Sequence, residues 1–440
     1  MSTTAKTMVV ALCMAAVRFA VAEDSANTPA SKPLLLHCRG AVTSVEVSEP
    51  MIVHEEGAKP PYYYPQTPLL KLSDGSIVLC GTANKILRST DGGRTWQKQE
   101  IQTSGFQTFQ RRDRSFYLLK NGVKASDQRG VFLSGRMTLK SLEEMVDQND
   151  SSWRETTISV PKFKAAVSDD YKTVQKGPRI EVATELANGT LLALAYGNFV
   201  GDDVPINGFV PTKGEAPMYR SFMLSSTDDG QSWKYLSTIA YDGETGQESF
   251  CEPSITNFGN GELLVIMRTG RYAPLYQSRS LDGGKTWGEP VSLEMLGLQP
   301  KMILLDNGIL VCSFGWRPMR YIYWEDRNGG YYPAGLTDYH KRYKSQVGIE
   351  DPTAVAGDYV MFSPDKGYTW SQPHKIAEPL TQGYTQIAAI DRDSCVVLSY
   401  RFVLPGKSQG ETLRIWEHES KNFMRNVKTL YESRRIVVRP

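Results

Sequence analysis

Ser89-Thr-Asp-Gly-Gly-Arg-Thr-Trp96 is an eight-residue stretch that returns three more times, as Ser226-Thr-Asp-Asp-Gly-Gln-Ser-Trp233, Ser280-Leu-Asp-Gly-Gly-Lys-Thr-Trp287 and Ser363-Pro-Asp-Lys-Gly-Tyr-Thr-Trp370. Each part has a physical task. The Asp carboxylate can accept backbone N–H bonds across a turn, Gly permits positive φ, and Trp can staple the turn to the surface beneath it. Short β-rich runs such as Tyr219–Ser225 and Asp358–Ser363 precede the copies, so each copy reads as a hairpin turn.

A second repeat counts the units. An apolar run, then Leu-x-Asp/Asn-Gly or an approximation of it, then another apolar run recurs in Thr67–Gly81, Ser104–Leu119, Arg179–Gly197, Glu252–Gly270, Gln299–Gly315 and Tyr384–Arg401. Asx-Gly between β-rich flanks is a hairpin signal. These six copies predict the inner strand pairs of a six-bladed β-propeller, all-β and a single closed domain. Units two and six lack a clear copy of the eight-residue motif. The run Val42–Val53 is expected to supply the last blade's outer strand. An α/β fold would need long helical-period stretches between strands, and only Leu139–Val146 offers one.

The 440 residues divide into 1–22, read as an export signal, 23–41, an N-terminal extension, and 42–440, the propeller. Lys6, the apolar stretch Met8–Val17 and Ala20-Val21-Ala22 at the cleavage spacing carry the signal reading, which implies a secreted or periplasmic protein. No later segment reaches the ~20 apolar residues of a bilayer span, so no stable membrane insertion is expected. Beyond the signal the basic count falls from 50 to 48 and equals the 48 acidic residues. A formally neutral chain lacks the basic footprint that nucleic-acid binding needs, and Arg111–Arg114 reads as a solvated turn. Cys38, Cys80, Cys251, Cys312 and Cys395 are odd in number and scattered, which is not a disulfide framework. No Cys/His cluster has metal-ligand spacing, so neither a metal nor another cofactor is expected.

Aligning the repeats on their turns places Gln66, Ile180, Glu252, Gln299 and Tyr384 at one level of the innermost strands. Thr82, Tyr196, Arg268, Gly315 and Tyr400 return to that level on the second strands, with Arg317 and Arg401 just beyond. Packing alone would ask for apolar residues there, so a polar ring predicts a lined pocket at the axis. Tyr62–Tyr64 reads either as a sugar-stacking platform or as a surface turn. Asp202-Asp203 reads either as a proton supply or as a solvated loop.

The eight-residue motif matches the Asp-box of sialidase-like propellers, and the chain resembles the sialidase family over essentially all of its length beyond residue 22. Glu252-Pro-Ser with Arg268 resembles that family's paired glutamate and second arginine. Gly383-Tyr384-Thr-Gln-Ile resembles the strand of its tyrosine nucleophile, and Phe314-Gly-Trp-Arg317-Pro lies where a third arginine could be. The resemblance implies an exo-acting glycoside hydrolase that removes a terminal acidic sugar from an oligosaccharide or glycoconjugate. Tyr384 would attack the anomeric carbon, activated by Glu252. Arg268, Arg317 and Arg401 would bind the sugar carboxylate, with Gln66, Gln299 and Tyr196 around the substrate. Two departures stand against this. Gln66-Thr67-Pro68 occupies the place of the family's Arg-Ile-Pro, and Thr82-Ala-Asn84-Lys85 the place of its acid/base aspartate, which makes Asp202 the first choice for the proton. Two other functions stay open. One is a polysaccharide lyase for uronic-acid glycans, with a tyrosine abstracting the α proton; the other is a non-catalytic glycan-binding propeller.

Overall fold

The computed structural model describes residues 34–38, 41–56, 69–82, 85–100, 106–112, 116–120, 132–137, 154–159, 161, 166–167, 174–175, 179–202, 218–246, 249–269, 274–316, 356–378, 381–408, 410–412 and 427–440. The export-signal segment lies outside them. Among the described residues no helix is long and apolar enough to cross a membrane.

The turn chemistry of the sequence closes antiparallel hairpins. Leu69–Lys71 returns as Ile77–Thr82, Arg179–Glu185 as Leu191–Gly197, Cys251–Gly259 as Glu262–Arg268, Leu298–Leu304 as Leu310–Trp316, and Thr381–Asp391 as Ser394–Val403. Asp74 Oδ1 accepts the Ser76 N–H at 2.9 Å, and Asn188 and Asn307 accept likewise from Thr190 and Ile309. An Asx side chain thus completes the turn that the following Gly allows.

The blade count differs from the six expected: the arrangement is five-bladed. Lys85–Ser89 and Gln97–Glu100 complete the first sheet, Pro274–Ser280 and Val291–Leu296 the third, and Gly357–Ser363 and His374–Ala377 the fourth. Units two and three of the sequence do not form separate blades. Arg154–Ser159 pairs in parallel with Ser232–Ala240, at Thr157↔Ser232, Ile158↔Trp233 and Ser159↔Lys234, giving one eight-stranded sheet. Both strands are the outermost of their units, and an open edge takes an available partner. The fifth sheet is built from Thr381–Asp391, Ser394–Val403 and Lys428–Arg439. Along the outer side of Lys428–Arg439 lie Ala41–Val47 and Met51–Glu56, so the run Val42–Val53 does join the last sheet. Leu34–Cys38, in the stretch read as an extension, pairs with Ala41–Val47.

Adjacent sheets bury their faces against each other. Leu192, Leu194 and Met223 pack on Leu263, Val265 and Met267, while Leu264 and Ile266, on the opposite face, meet Leu310, Cys312 and Met361. Val311 and Phe362 meet Ile387, Val397 and Ile436; Val396 and Leu398 meet Ile77, Leu79 and Leu87. The two-residue period of the strands sends alternate side chains to opposite seams, and each such buried aliphatic contributes about 1.5–3 kcal/mol.

Three of the Asp-boxes latch three of these seams. Asp282 Oδ1 accepts the Lys285 and Thr286 N–H groups at 3.0 Å, Oδ2 accepts the Thr286 hydroxyl at 2.6 Å, and Ser280 Oγ accepts the Gly284 N–H. The turn so fixed presents the Trp287 indole N–H to Ser237 Oγ on the preceding sheet at 3.1 Å, while Ser237 donates to the Gly284 carbonyl at 2.5 Å. Trp96 with Ser433 and Gly93, and Trp370 with Gln277 and Gly367, repeat this exchange. Burial works against the charge of Asp91 and Asp282, but the Thr95 and Thr286 hydroxyls and nearby N–H groups outweigh it, holding both carboxyls at about 2.

Ser237→Ala removes the partner of an indole N–H and is expected to lower unfolding stability by about 1–3 kcal/mol in urea titration. Folded-state carboxyls held below the unfolded value of about 3.9 contribute stability present above that value and lost as pH falls toward 2. Acid titration at constant temperature should therefore show stability declining from about pH 4 downward, and less steeply in Asp91→Asn/Asp282→Asn.

Candidate active site

Four innermost strands break register, and the expected polar ring is made at the breaks. Pairing shifts between Ile180 and Val182, between Cys251 and Ser254, between Leu298 and Lys301, and between Thr381 and Thr385. The residues caught there include Glu181, Glu252, Gln299 and Tyr384. A bulge inserts a residue and re-aims its side chain. Glu252 and Gln299 take positive φ, 45° and 40°, which for a non-glycine residue costs about 1–3 kcal/mol.

The re-aimed side chains meet across the centre. Glu252 Oε1 accepts the Tyr384 hydroxyl at 3.0 Å and Arg268 Nη1 at 2.7 Å, and Oε2 accepts the Gln299 backbone N–H at 3.1 Å. Tyr384 and Glu252 belong to the fifth and third sheets, with the fourth between them, so their contact spans the middle of the molecule. All four residues are buried. An ionised glutamate with three donors is a well-solvated base, and the phenol that donates to it can pass it a proton.

A second group lies beside the first. Arg179 stands 5.9 Å from the Tyr196 ring centroid, 3.6 Å from Glu181 by its Nε, and Lys301 Nζ is 3.7 Å from the other Glu181 oxygen. Lys301 belongs to the fourth sheet and Glu181 to the eight-stranded one, so this pair too crosses the centre. Burial pushes the Glu181 carboxyl above its usual range, Lys301 and Arg179 oppose that, and Glu252 reinforces it. Burial likewise raises the Tyr196 phenol. Burial works against the Arg179 charge, but Tyr196, Glu181, Tyr384 and Glu252 outweigh it and keep the guanidinium protonated.

Of the residues expected from sequence, Tyr384, Glu252, Arg268 and Gln299 come together, and Tyr196 joins them through Arg179. Two are engaged elsewhere. Asp202 forks with Arg220 and accepts the Phe199 N–H at 2.9 Å, while Arg220 lies 4.1 Å from the Tyr241 ring centroid. Arg401 donates twice to Glu432 Oε1, at 3.0 and 2.6 Å, within its own sheet. Gln66, Arg317 and Tyr62–Tyr64 lie outside the described residues. Arg179, Glu181 and Lys301 were not anticipated. Their signal was available: charged residues flank Ile180 and follow Gln299-Pro300 in strands otherwise apolar. The turn count found the right level, where Ile180 stands as Glu252 and Gln299 do on their strands, but it read a single residue per strand, and in this strand the polar side chains are the neighbours on either side. Among the described residues no group of three or more His, Cys, Asp or Glu could hold a metal ion.

These features define an Asp-box β-propeller with a tyrosine–glutamate pair at its centre. The chain belongs to the BNR repeat-like domain family, whose model matches residues 85–307. It is similar in fold to a protein of unknown function from Dyadobacter fermentans, at 15% identity and TM-score 0.55 over 90% of this chain and 99% of that one. The Hadza microbial sialidase Hz136 matches at 13% identity, TM-score 0.45, covering 86% of this chain and 68% of that one. An α-L-arabinanase of Penicillium chrysogenum matches at 12% identity, TM-score 0.45, covering 87% and 98%. No curated protein matches the sequence.

Gly315 supports the Tyr384 strand from behind, and a Cβ there would overlap the Gly383 backbone and the Asp358 carboxylate. Gly315→Ala is expected to lower stability by about 1–3 kcal/mol and to lengthen the Tyr384–Glu252 bond in a crystal structure. An unchanged bond would show that this close approach does not position the pair.

Proposed function

We propose that this protein is an exo-acting glycoside hydrolase for a terminal acidic sugar, with Tyr384 as nucleophile and Glu252 as its base. The observation that carries the reading is the Tyr384 hydroxyl donating to a glutamate already pinned by Arg268 and the Gln299 N–H. As the phenolic oxygen bonds to the anomeric carbon, its proton passes to Glu252, the glycosidic C–O bond breaks and the departing oxygen takes a proton from solvent. Water then attacks the glycosyl-tyrosine and gives up its own proton to solvent, which replaces the one the leaving group took, and Glu252 returns the first proton to the departing phenolate. A neutral tyrosine suits a sugar whose own carboxylate would repel an anionic nucleophile.

Charge supports the choice of an acidic sugar. Arg179, Arg268 and Lys301 face Glu252 and a Glu181 whose ionisation burial disfavours, leaving the centre net positive. Arg179 supplies the cation whose absence from the Gln66-Thr67-Pro68 position marked the sequence. Arg268 is bonded to Glu252 and therefore serves the base first. The segment 1–22 supports action outside the cytoplasm.

Tyr384→Phe and Glu252→Gln are each expected to lower kcat/KM on 4-methylumbelliferyl glycosides of acidic sugars by about 10²–10⁴-fold, with cooperative thermal unfolding retained. Full activity in both variants would end the reading. An ultraviolet-absorbing unsaturated product from uronic-acid oligosaccharides would assign a lyase instead, and binding without turnover a glycan-binding propeller.

A further inference from the structure

Arg179 reaches the centre with 30% of its side chain exposed, whereas Glu181, two residues along the same strand, is fully enclosed behind it. Neither Glu181 carboxyl oxygen has a hydrogen bond of good geometry, nor has the Gln299 amide buried beside it, whose pull toward the anion is the weakest of the influences on Glu181. Its cationic neighbours stand at 3.6 and 3.7 Å, beyond good hydrogen-bond length. Glu252, a short way off, has three donors in place. The two carboxyls therefore differ in kind: one is supplied with donors that favour its charge, while the other has its charge disfavoured by burial and offset by cations at 3.6 and 3.7 Å.

The groups that set this balance come from every strand packed around it. Lys301 and Gln299 face Glu181 from Leu298–Leu304, Glu252 from Cys251–Gly259, and Arg179 from its own strand; Tyr196 and Tyr384 enclose Arg179 from the strands Leu191–Gly197 and Thr381–Asp391. Burial and Glu252 favour the neutral acid, while Lys301 and Arg179 favour the anion. An anionic sugar on Arg179 engages the same guanidinium and weakens its pull on Glu181.

We propose that Glu181 is a proton-linked positioning residue for Arg179, neutral when Arg179 holds an anionic sugar and ionised when it does not, so that the pocket takes up a proton as the sugar binds. This rests on the acidic-sugar reading above. Glu181 touches no substrate; it decides whether Arg179 is neutralised from behind or available in front. The linkage is reciprocal: if the sugar promotes protonation, protonation promotes sugar binding by the same factor. The Glu181 carboxyl already lies above its ordinary value of 4.5 in the free protein. Occupancy raises it further, so affinity climbs as pH falls through the interval between the free and bound values. Neutral sugars make no such demand on Arg179 and bind without it.

Isothermal titration calorimetry of the full-length protein with D-glucuronate, N-acetylneuraminate and, as neutral control, D-glucose, between about pH 4.5 and 8.5, tests this without turnover. The wild type is expected to bind the anionic sugars up to about tenfold more tightly per unit fall in pH, with buffer-dependent heats reporting proton uptake. Glu181→Gln, isosteric with the neutral acid, should bind them tightly with a flat profile and no proton uptake. Lys301→Met, a second route that leaves Glu181 in place, should move the wild-type slope to higher pH. A slope that persists in Glu181→Gln, or a wild type without one, overturns the proposal. Failure of every anionic sugar to bind overturns it together with the acidic-sugar reading, whereas binding with the expected slope but no hydrolysis upholds it and removes only the nucleophile assignment.

Discussion

The indole-to-serine exchange at the sheet seams is the constraint on which the rest depends. The blade sheets are separate hydrogen-bonded units, so their mutual angle is left to side chains. Apolar seams supply most of the free energy but little direction, since hydrophobic contact is non-directional. The Asp-box supplies direction. Asp282 freezes its turn with four hydrogen bonds, and the frozen turn offers one donor and one acceptor to the sheet before it, where Ser237 answers both. With Ser433 and Gln277 answering in the same way at two other seams, the pitch between innermost strands is set by bonds of about 3 Å. Contacts of 2.7 to 3.1 Å around Glu252, drawn from three sheets, need that accuracy.

The same frame carries the strain of the site. Positive φ at Glu252 and Gln299 would relax in an isolated hairpin. Here each residue is trapped by what surrounds it: Gln299 N–H is held by Glu252, Met302 N–H by Ser254 Oγ at 3.1 Å, and Thr385 by Ser313 at 2.8 Å. Neighbouring sheets thus hold each other's bulges open. Bulged strands are a way of placing a polar side chain inside a fold whose regular positions are all taken by packing.

How much of this the amino acids disclosed follows from the range of each signal. The Asp-boxes and Asx-Gly turns are local and chemically specific, so the hairpins and the family could be read from them. The pairing of Glu252, Arg268 and Tyr384 followed, because their distances from the turns are alike. The blade count failed where local signals end: the parallel edge pairing of Ile158 with Trp233 leaves no mark in either strand's composition. Counting from turns gives the level of a bulge but not which of its residues turns inward. That is why Ile180 stood in for Arg179 and Glu181. The partner of Asp202 was hidden for a different reason. A loop carboxylate looks alike whether it faces solvent or an arginine eighteen positions away, and only the fold brings Arg220 to it.

Two carboxyls in one enclosed centre would repel if both were charged, and the fold separates them by supply of donors. Glu252 receives a guanidinium, a phenol and a backbone N–H, fixed groups that can solvate a charge there without reorganising. Glu181 has cations at 3.6 and 3.7 Å and the Gln299 amide beside it, and burial together with Glu252 disfavours its charge. A centre in which both were fully bonded would hold two buried negative charges, and the cations needed to offset them would have none of their field left for a third anion entering from outside.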